Sequence, residues 1–531
     1  MFRSFYLAGF ECATGYNVHG EWIDQIAATE HDRHADADYT RLAEVGIHAV
    51  REAIRWPLVD RDGHYDFSSV QPFIDAALHH DFDVIWDLFH YGYPDDTNPF
   101  SDEFPERFAR YCHAAAVHVR EHMDRTCYFT PINEPSFFAW AAGEAGRFAP
   151  HAKGRGFELK VALARAALLG IAAIRDACPG ARIVNVDPIC RVVTDSIDPA
   201  AVAHVNRFNQ EWVFQFWDMV SGRMMPDLGG SPDKLDVMGL NYYWTNQWEL
   251  RQEGVPLASD DPRRVPLAEL VRSAWVRYGA PIVITETSAL GEERARWLHE
   301  LSIMAEELLD EGVELEGICL YPILGMPEWH DRNQWARMGL WDLEREQNVL
   351  QRKTCAPMLA ALRSAQRRQS RQVADVEQVF TLPRTGNVPL VIYGRQAWHN
   401  GDADAPYSLR LIRSDQPYRL WIAAVEVSCG ETTVQHVCTA AELSLLVQQL
   451  RWFNPTRIAA EHGCNAIRFD EKTHAQWQQD VDAIADGAPA FEAITIERRT
   501  RLPKTPVAGG GRASYVHPRI RCTYHGSGGD C

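Results

Sequence analysis

Two carboxylic acids in this 531-residue chain stand where a reactive pair would be expected. Glu134 lies in Thr130-Pro131-Ile132-Asn133-Glu134-Pro135 and Glu286 in Ile284-Thr285-Glu286-Thr287, each closing a short apolar run. A carboxylate at the end of an apolar strand is costly unless it is paired or put to use. Two such groups facing each other across one opening suit the cleavage of a glycosidic bond with retention. That chemistry sets two carboxyls about 5 to 5.5 Å apart, one protonating the departing oxygen and the other attacking the anomeric carbon.

The elements that would carry these groups follow from the rhythm of the chain. Eight apolar or β-branched runs alternate with helical patterns: Phe5–Glu11, His48–Trp56, Phe82–His90, Thr126–Asn133, Ala181–Asp187, Leu235–Tyr243, Pro281–Thr287 and Leu315–Tyr321. The intervening helical segments include Ala35–Val45, Val70–His79, Pro105–His122, Leu159–Ala177, Pro266–Tyr278 and Arg294–Leu309. Repeated βα units imply a parallel sheet, and eight of them imply a closed (β/α)8 barrel, an α/β fold. The strands end on Glu11, Arg51 with Trp56, His90, Asn133 with Glu134, Asn241 with Tyr243, Glu286 and Tyr321. In such a barrel these ends converge on one mouth, where active sites sit.

With those residues in order, the chain resembles the clan A glycoside hydrolases, and within them the family 1 β-glycosidases. Tyr16-Asn17-Val18-His19-Gly20 is similar to that family's Y-Q-x-E-G, Arg51 and Trp56 to its R-F-S-x-x-W, and His90 to the His of L-x-H-W. Asn133-Glu134-Pro135 matches N-E-P, Gly239-Leu240-Asn241-Tyr242-Tyr243 matches G-x-N-Y-Y, and Tyr321 to Trp329 keeps the spacing of W-S-L-x-D-N-F-E-W. The resemblance implies Glu134 as acid/base and Glu286 as nucleophile, supported by Arg51, Asn133 and Tyr243. It implies Asn17, His90, Asn241, Tyr321, Glu328 and Trp329 as sugar contacts. The departures are Asn17 for Gln, His19 for Glu, Thr287-Ser288 for N-G, and Tyr321 for Trp, and the barrel is shorter than is usual in the family. The implied activity is hydrolysis of a small, non-phosphorylated β-glucoside or β-galactoside, and it calls for no metal or organic cofactor. Transglycosylation would use the same carboxylates; an endo-acting glycanase or a silent carbohydrate-binding protein are the other readings.

Composition narrows the classes further. A formal charge of −19 repels phosphate backbones and anionic lipid, so neither nucleic acid nor membrane is an expected partner. The first ten residues lack a long apolar region, and the 12 cysteines are scattered without C-x-x-C pairs, so free thiols in the cytoplasm are expected. His31, Asp32, His34 and Asp36 open a helix and read as a solvated face rather than a metal cluster; Trp335 could cap the barrel or meet a sugar face. The barrel is expected to occupy residues 1–365. A basic, Gln-rich linker or frayed helix end would follow at 366–375, then a small α+β domain at 376–498 and a disordered tail at 499–531. In the third segment, Pro389–Tyr393 and Tyr418–Val427 read as strands, and Ala440–Trp452 and Thr473–Ala485 as helices.

Overall fold

The computed structural model describes residues 2–123, 125–250, 255–347 and 349–375, with five strand segments beyond them. All eight expected strands form, all but the fifth shorter than the expected run: β1 Tyr6–Gly9, β2 Ala49–Ala53, β3 Asp83–Asp87, β4 Tyr128–Thr130, β5 Arg182–Pro188, β6 Val237–Asn241, β7 Ile282–Thr287 and β8 Leu315–Leu320. They are parallel and closed in the order β1-β8-β7-β6-β5-β4-β3-β2. Closure rests on β1, where Ala8 pairs with Leu320 on one side and Val50 on the other. Helices α1 His31–Glu44, α2 Gln71–His79, α3 Glu103–His122, α4 Gly156–Ala177, α5 Pro199–Gln210, α6 Leu267–Tyr278, α7 Glu293–Asp310 and α8 Ala356–Asp375 follow the strands in turn.

Strand periodicity sorts the side chains into two cores. Leu7, Ala49, Ile85, Val184, Val237, Val283 and Cys319 fill the barrel interior. Their neighbours Tyr6, Ala8, Val50, Val84, Ile183, Met238, Ile282 and Ile318 pack outward beneath the helices. Two residues further along the same inner faces stand Arg51, Asp87 and Thr285, and four beyond Val237 stands Asn241, all buried. The period that builds the apolar plug thus delivers a polar layer to the C-terminal mouth.

Three expectations are corrected. The stretch 366–375 is not a linker: α8 continues through it to Asp375. Buried Met358, Leu362 and Ala365 form an apolar stripe at helical spacing, α8 packs on α7, and the Gln and Arg that follow are good helix formers. Helices α5 and α8 are also additions to the six expected. The opening of α1 is not uniformly solvated, because His31 is fully buried between Asp38 and Glu52. A hairpin of β9 Trp341–Glu346 and β10 Val349–Thr354 leads into α8.

Beyond α8 the described segments are β11 Gln378–Thr381, β12 Tyr407–Arg413, β13 Leu420–Cys429, β14 Thr432–Val437 and β15 Glu492–Thr500, paired antiparallel in the order β11-β15-β12-β13-β14. The expected strand Tyr418–Val427 corresponds to β13. The expected strand Pro389–Tyr393, the helices Ala440–Trp452 and Thr473–Ala485, and the tail from 501 lie outside the described residues. Among the described residues no helix is long and apolar enough to cross a membrane.

Candidate active site

Glu134 follows β4 in a backbone conformation that its sequence opposes. Its φ is +46°, in the left-handed region, and Pro135 follows it. The surroundings hold it there. Its N–H donates to the Val186 carbonyl of β5 at 3.2 Å, and its carbonyl accepts from Phe138 N–H at 2.9 Å across a one-turn helix, Pro135–Phe138. Asp187, also on β5, accepts from Ser136 N–H at 2.9 Å and from Ser136 Oγ at 2.5 Å, anchoring that turn. Strain held by neighbouring elements in this way is characteristic of functional sites.

The two expected glutamates are joined by one chain of hydrogen bonds. Arg51, fully buried, donates from Nη1 to Glu286 Oε1 at 2.7 Å and from Nη2 to Asn133 Oδ1 at 2.6 Å. Asn241 Nδ2 donates to Asn133 Oδ1 at 3.3 Å and to Glu134 Oε1 at 3.0 Å. The second oxygens are held too: Tyr243 Oη donates to Glu286 Oε2 at 2.9 Å, and Tyr91 Oη to Glu134 Oε2 at 2.7 Å. A Thr285 hydroxyl on Asn241 Oδ1, 2.7 Å, fixes the orientation of that amide.

The two carboxyls sit in different electrostatic settings. Burial pushes Glu134 up to about 8, and the negative charge of Glu286 adds to the rise, so near neutrality the group carries its proton. Glu286 faces the guanidinium of Arg51, which also pairs with Asp87 at 2.7 Å. One carboxyl therefore holds a proton while the other is ion-paired to a guanidinium, the division of labour that glycoside cleavage needs.

Of the expected sugar contacts, some gather here and some do not. His90 is buried beside the pair; because Arg51 fixes the Asn133 amide, Asn133 Nδ2 donates to His90 Nε2 at 3.0 Å, leaving the ring proton on Nδ1 facing Asp87 Oδ2 at 3.3 Å. Tyr321 lies stacked parallel to His90 with centroids 6.2 Å apart, and its ring is 5.2 Å from the Arg51 guanidinium. Trp329 stands edge-on to Tyr91 and donates from Nε1 to Glu11 Oε1 at 3.2 Å.

Asn17 is fully buried and spent on its own loop. Its Oδ1 accepts from the N–H groups of His19 and Glu21, and its Nδ2 donates to the Trp329 carbonyl at 3.0 Å. Glu328 is exposed, with its backbone N–H tied to the Gln334 carbonyl at 2.9 Å. Trp335 is 39% exposed on a short hairpin. Four residues without an expected role join the site: Glu11, Cys12, Asp87 and Tyr91. Asp87 carried a signal, an acid ending the apolar run Asp83-Val84-Ile85-Trp86, and Glu11 another, as the last residue of the first run. Tyr91 carried none beyond adjacency to His90.

No family model and no curated protein matches the sequence. Among solved structures the barrel is similar to a β-glucosidase of Thermotoga maritima. The structure described as the family 1 β-glucosidase of that organism aligns with a TM-score of 0.57 and 17% identity, over 68% of this chain and 97% of its own. Its complex with noeuromycin aligns at 0.57 and 18%, over 69% and 98%, and its complex with castanospermine at 0.57 and 17%, over 68% and 97%. At such identity the likeness is one of fold.

Proposed function

We propose that this chain is a retaining β-glycosidase that hydrolyses a small, non-phosphorylated β-glucoside or β-galactoside, with Glu134 as acid/base and Glu286 as nucleophile. The observation that carries this reading is the hydrogen-bond chain Glu134–Asn241–Asn133–Arg51–Glu286, which sets a protonated carboxyl and an ion-paired carboxylate in one mouth. The glucosidase fold of the Thermotoga maritima structures adds to it.

In the first step a Glu286 oxygen bonds to the anomeric carbon as the Glu134 proton passes to the departing glycosidic oxygen. Arg51 and Tyr243 steady the nucleophile until its charge is spent in the ester. With that charge gone, Glu134 loses one cause of its raised basicity and acts as base toward water, which returns the nucleophile and releases the sugar with its configuration kept.

A screen of aryl β-glycosides tests this. Wild type turns over at least one of them, and Glu134→Ala and Glu286→Ala each lose roughly a hundredfold or more in kcat. A 2-deoxy-2-fluoro glycoside leaves its mass on the peptide containing Glu286, and nuclear magnetic resonance shows the β anomer released first. Unchanged turnover in Glu286→Gln, or first release of the α anomer, overturns the proposal.

A further inference from the structure

We propose that Glu11 is the specificity-determining carboxylate of this pocket, its free Oε2 accepting hydrogen bonds from hydroxyl or ammonium groups on the bound ring. The inference rests on the glycosidase reading for its substrate, but it is carried by different atoms.

Glu11 follows β1 at the mouth and is only 6% exposed. Its Oε1 is occupied twice, by Ala13 N–H at 3.1 Å and by Trp329 Nε1 at 3.2 Å. Its Oε2 accepts no hydrogen bond from any described residue. Oε2 is not among the oxygens cut off from solvent, so it is the one left open to a ligand's donor. The side chain lies within the ring of site residues, since its charge acts on Tyr91, Tyr243 and Tyr321 and is itself opposed by that of Glu286.

Two of the side chains that the sequence offered as sugar contacts are turned elsewhere. Asn17 has both amide ends committed to its own loop and the Trp329 carbonyl, and Glu328 is exposed. Glu11 keeps one oxygen free at the mouth, and through Trp329 Nε1 it also fixes the plane of the indole. An acceptor-only group selects donors.

The surrounding charge sharpens that choice. Asp87 and Glu286 share a single guanidinium, Arg51, and Glu134 holds its proton, so none of these offers a cation to a ligand beside Glu11. A ring bearing carboxylate or phosphate would set its own acceptor oxygens against Glu11 Oε2, which offers no donor, and is rejected. A neutral sugar or an amino sugar is retained.

Two readouts test this, one independent of turnover. Calorimetry measures the binding of non-hydrolysable aryl β-thioglycosides: the parent sugar, its monodeoxy analogues, an amino-deoxy analogue and a uronide. Wild type binds the parent, binds one monodeoxy analogue about tenfold to a hundredfold more weakly, and does not bind the uronide. Glu11→Ala loses the same factor on the parent and nothing further on that analogue. Glu11→Gln, which keeps one acceptor and the shape, recovers much of the parent's affinity and loses any preference for the amino sugar.

Kinetics with the corresponding O-glycosides should follow the same pattern in kcat/KM. If Glu11→Ala binds every sugar within twofold of wild type, or weakens all analogues equally, the proposal is overturned; the latter result would mean that Glu11 only props Trp329. Failure of wild type to bind any of these sugars also overturns it. Binding that depends on Glu11 without turnover would sink the glycosidase reading and leave this one standing.

Discussion

At the scale of single residues, Glu134, the proposed acid/base, is governed by three influences that can be separated. Burial and the charge of Glu286 raise Glu134 to about 8, while hydrogen bonds from Tyr91 and Asn241 favour its ionised form and pull it down. The acid must be protonated to work, so kcat/KM should hold below pH 8 and fall as the pH rises through it. Tyr91→Phe removes a donor that favours the carboxylate, so Glu134 should hold its proton to higher pH. The falling limb of the pH profile moves to the alkaline side, with a drop of several-fold in kcat from the lost orientation. A profile of kcat/KM from pH 5 to 10 for both proteins checks this, and an unmoved limb would mean that Tyr91 does not bond Glu134 in the working enzyme.

At the scale of elements, the packing of β1 against the end of β8 sets the floor beneath this chemistry. A Cβ added at Gly9 would come within 2.0 Å of Tyr321 Cδ2, and the ring cannot swing away without disturbing His90 and Arg51, against which it lies. Gly9→Ala should therefore lower kcat/KM about tenfold and the melting temperature by a few degrees, the ordinary effect of overpacking. Gly180→Ala, where nothing lies within 4 Å, should change neither. The same elements show what the sequence could tell. Strands β1 to β8 were legible because parallel strands buried on both faces read as apolar runs, and the residues at their ends come with them. Asn17 and Glu328 sit in the loops beyond, where the turn's own hydrogen bonds decide which way a side chain points. His31 was misread because its partners come from afar: Glu52 on β2 at 3.0 Å, and Asp38 at 2.9 Å, itself clamped by Arg352 Nε from β10 at 2.9 Å. Those carboxylates outweigh burial and raise His31 from 6.5 to about 9. The group's folded value lies above its unfolded one, so its contribution is full below pH 6.5 and is lost as pH rises through about 9. It amounts to about 3 kcal/mol at most. Denaturant unfolding of wild type should show that decline between pH 6.5 and 9, and His31→Gln should flatten it; equal slopes in the two proteins would refute the assignment.

At the scale of the whole molecule, the question is where the folding unit ends. The barrel closes only when β1 meets β8, so residues 6–8 and 318–320 must find each other across most of the described chain. Closure alone leaves the outer faces of α7 and α1 uncovered. Helix α8 covers them: Met358, Leu362 and Ala365 are deeply buried, Arg368 reaches Glu306 on α7 at 3.6 Å, and Gln366 Nε2 caps the Val45 carbonyl at the end of α1 at 2.9 Å. Among the side chains of α8 that are described, up to residue 369, the buried apolar stripe ends at Ala365, while the helix continues to 375. We infer that the catalytic unit is self-sufficient through α8 and that the β11–β15 sheet belongs to a second unit whose removal leaves the first intact. A chain ending after Asp375 should melt cooperatively within a few degrees of the full-length protein and keep its kcat/KM on an aryl β-glycoside within twofold. A chain ending after Thr354, which lacks α8, should lose cooperative unfolding, because the apolar surface of α7 would then face water. If the longer truncation failed as completely as the shorter, the second unit would be part of the barrel's own stability, and the boundary read from the burial pattern would be wrong.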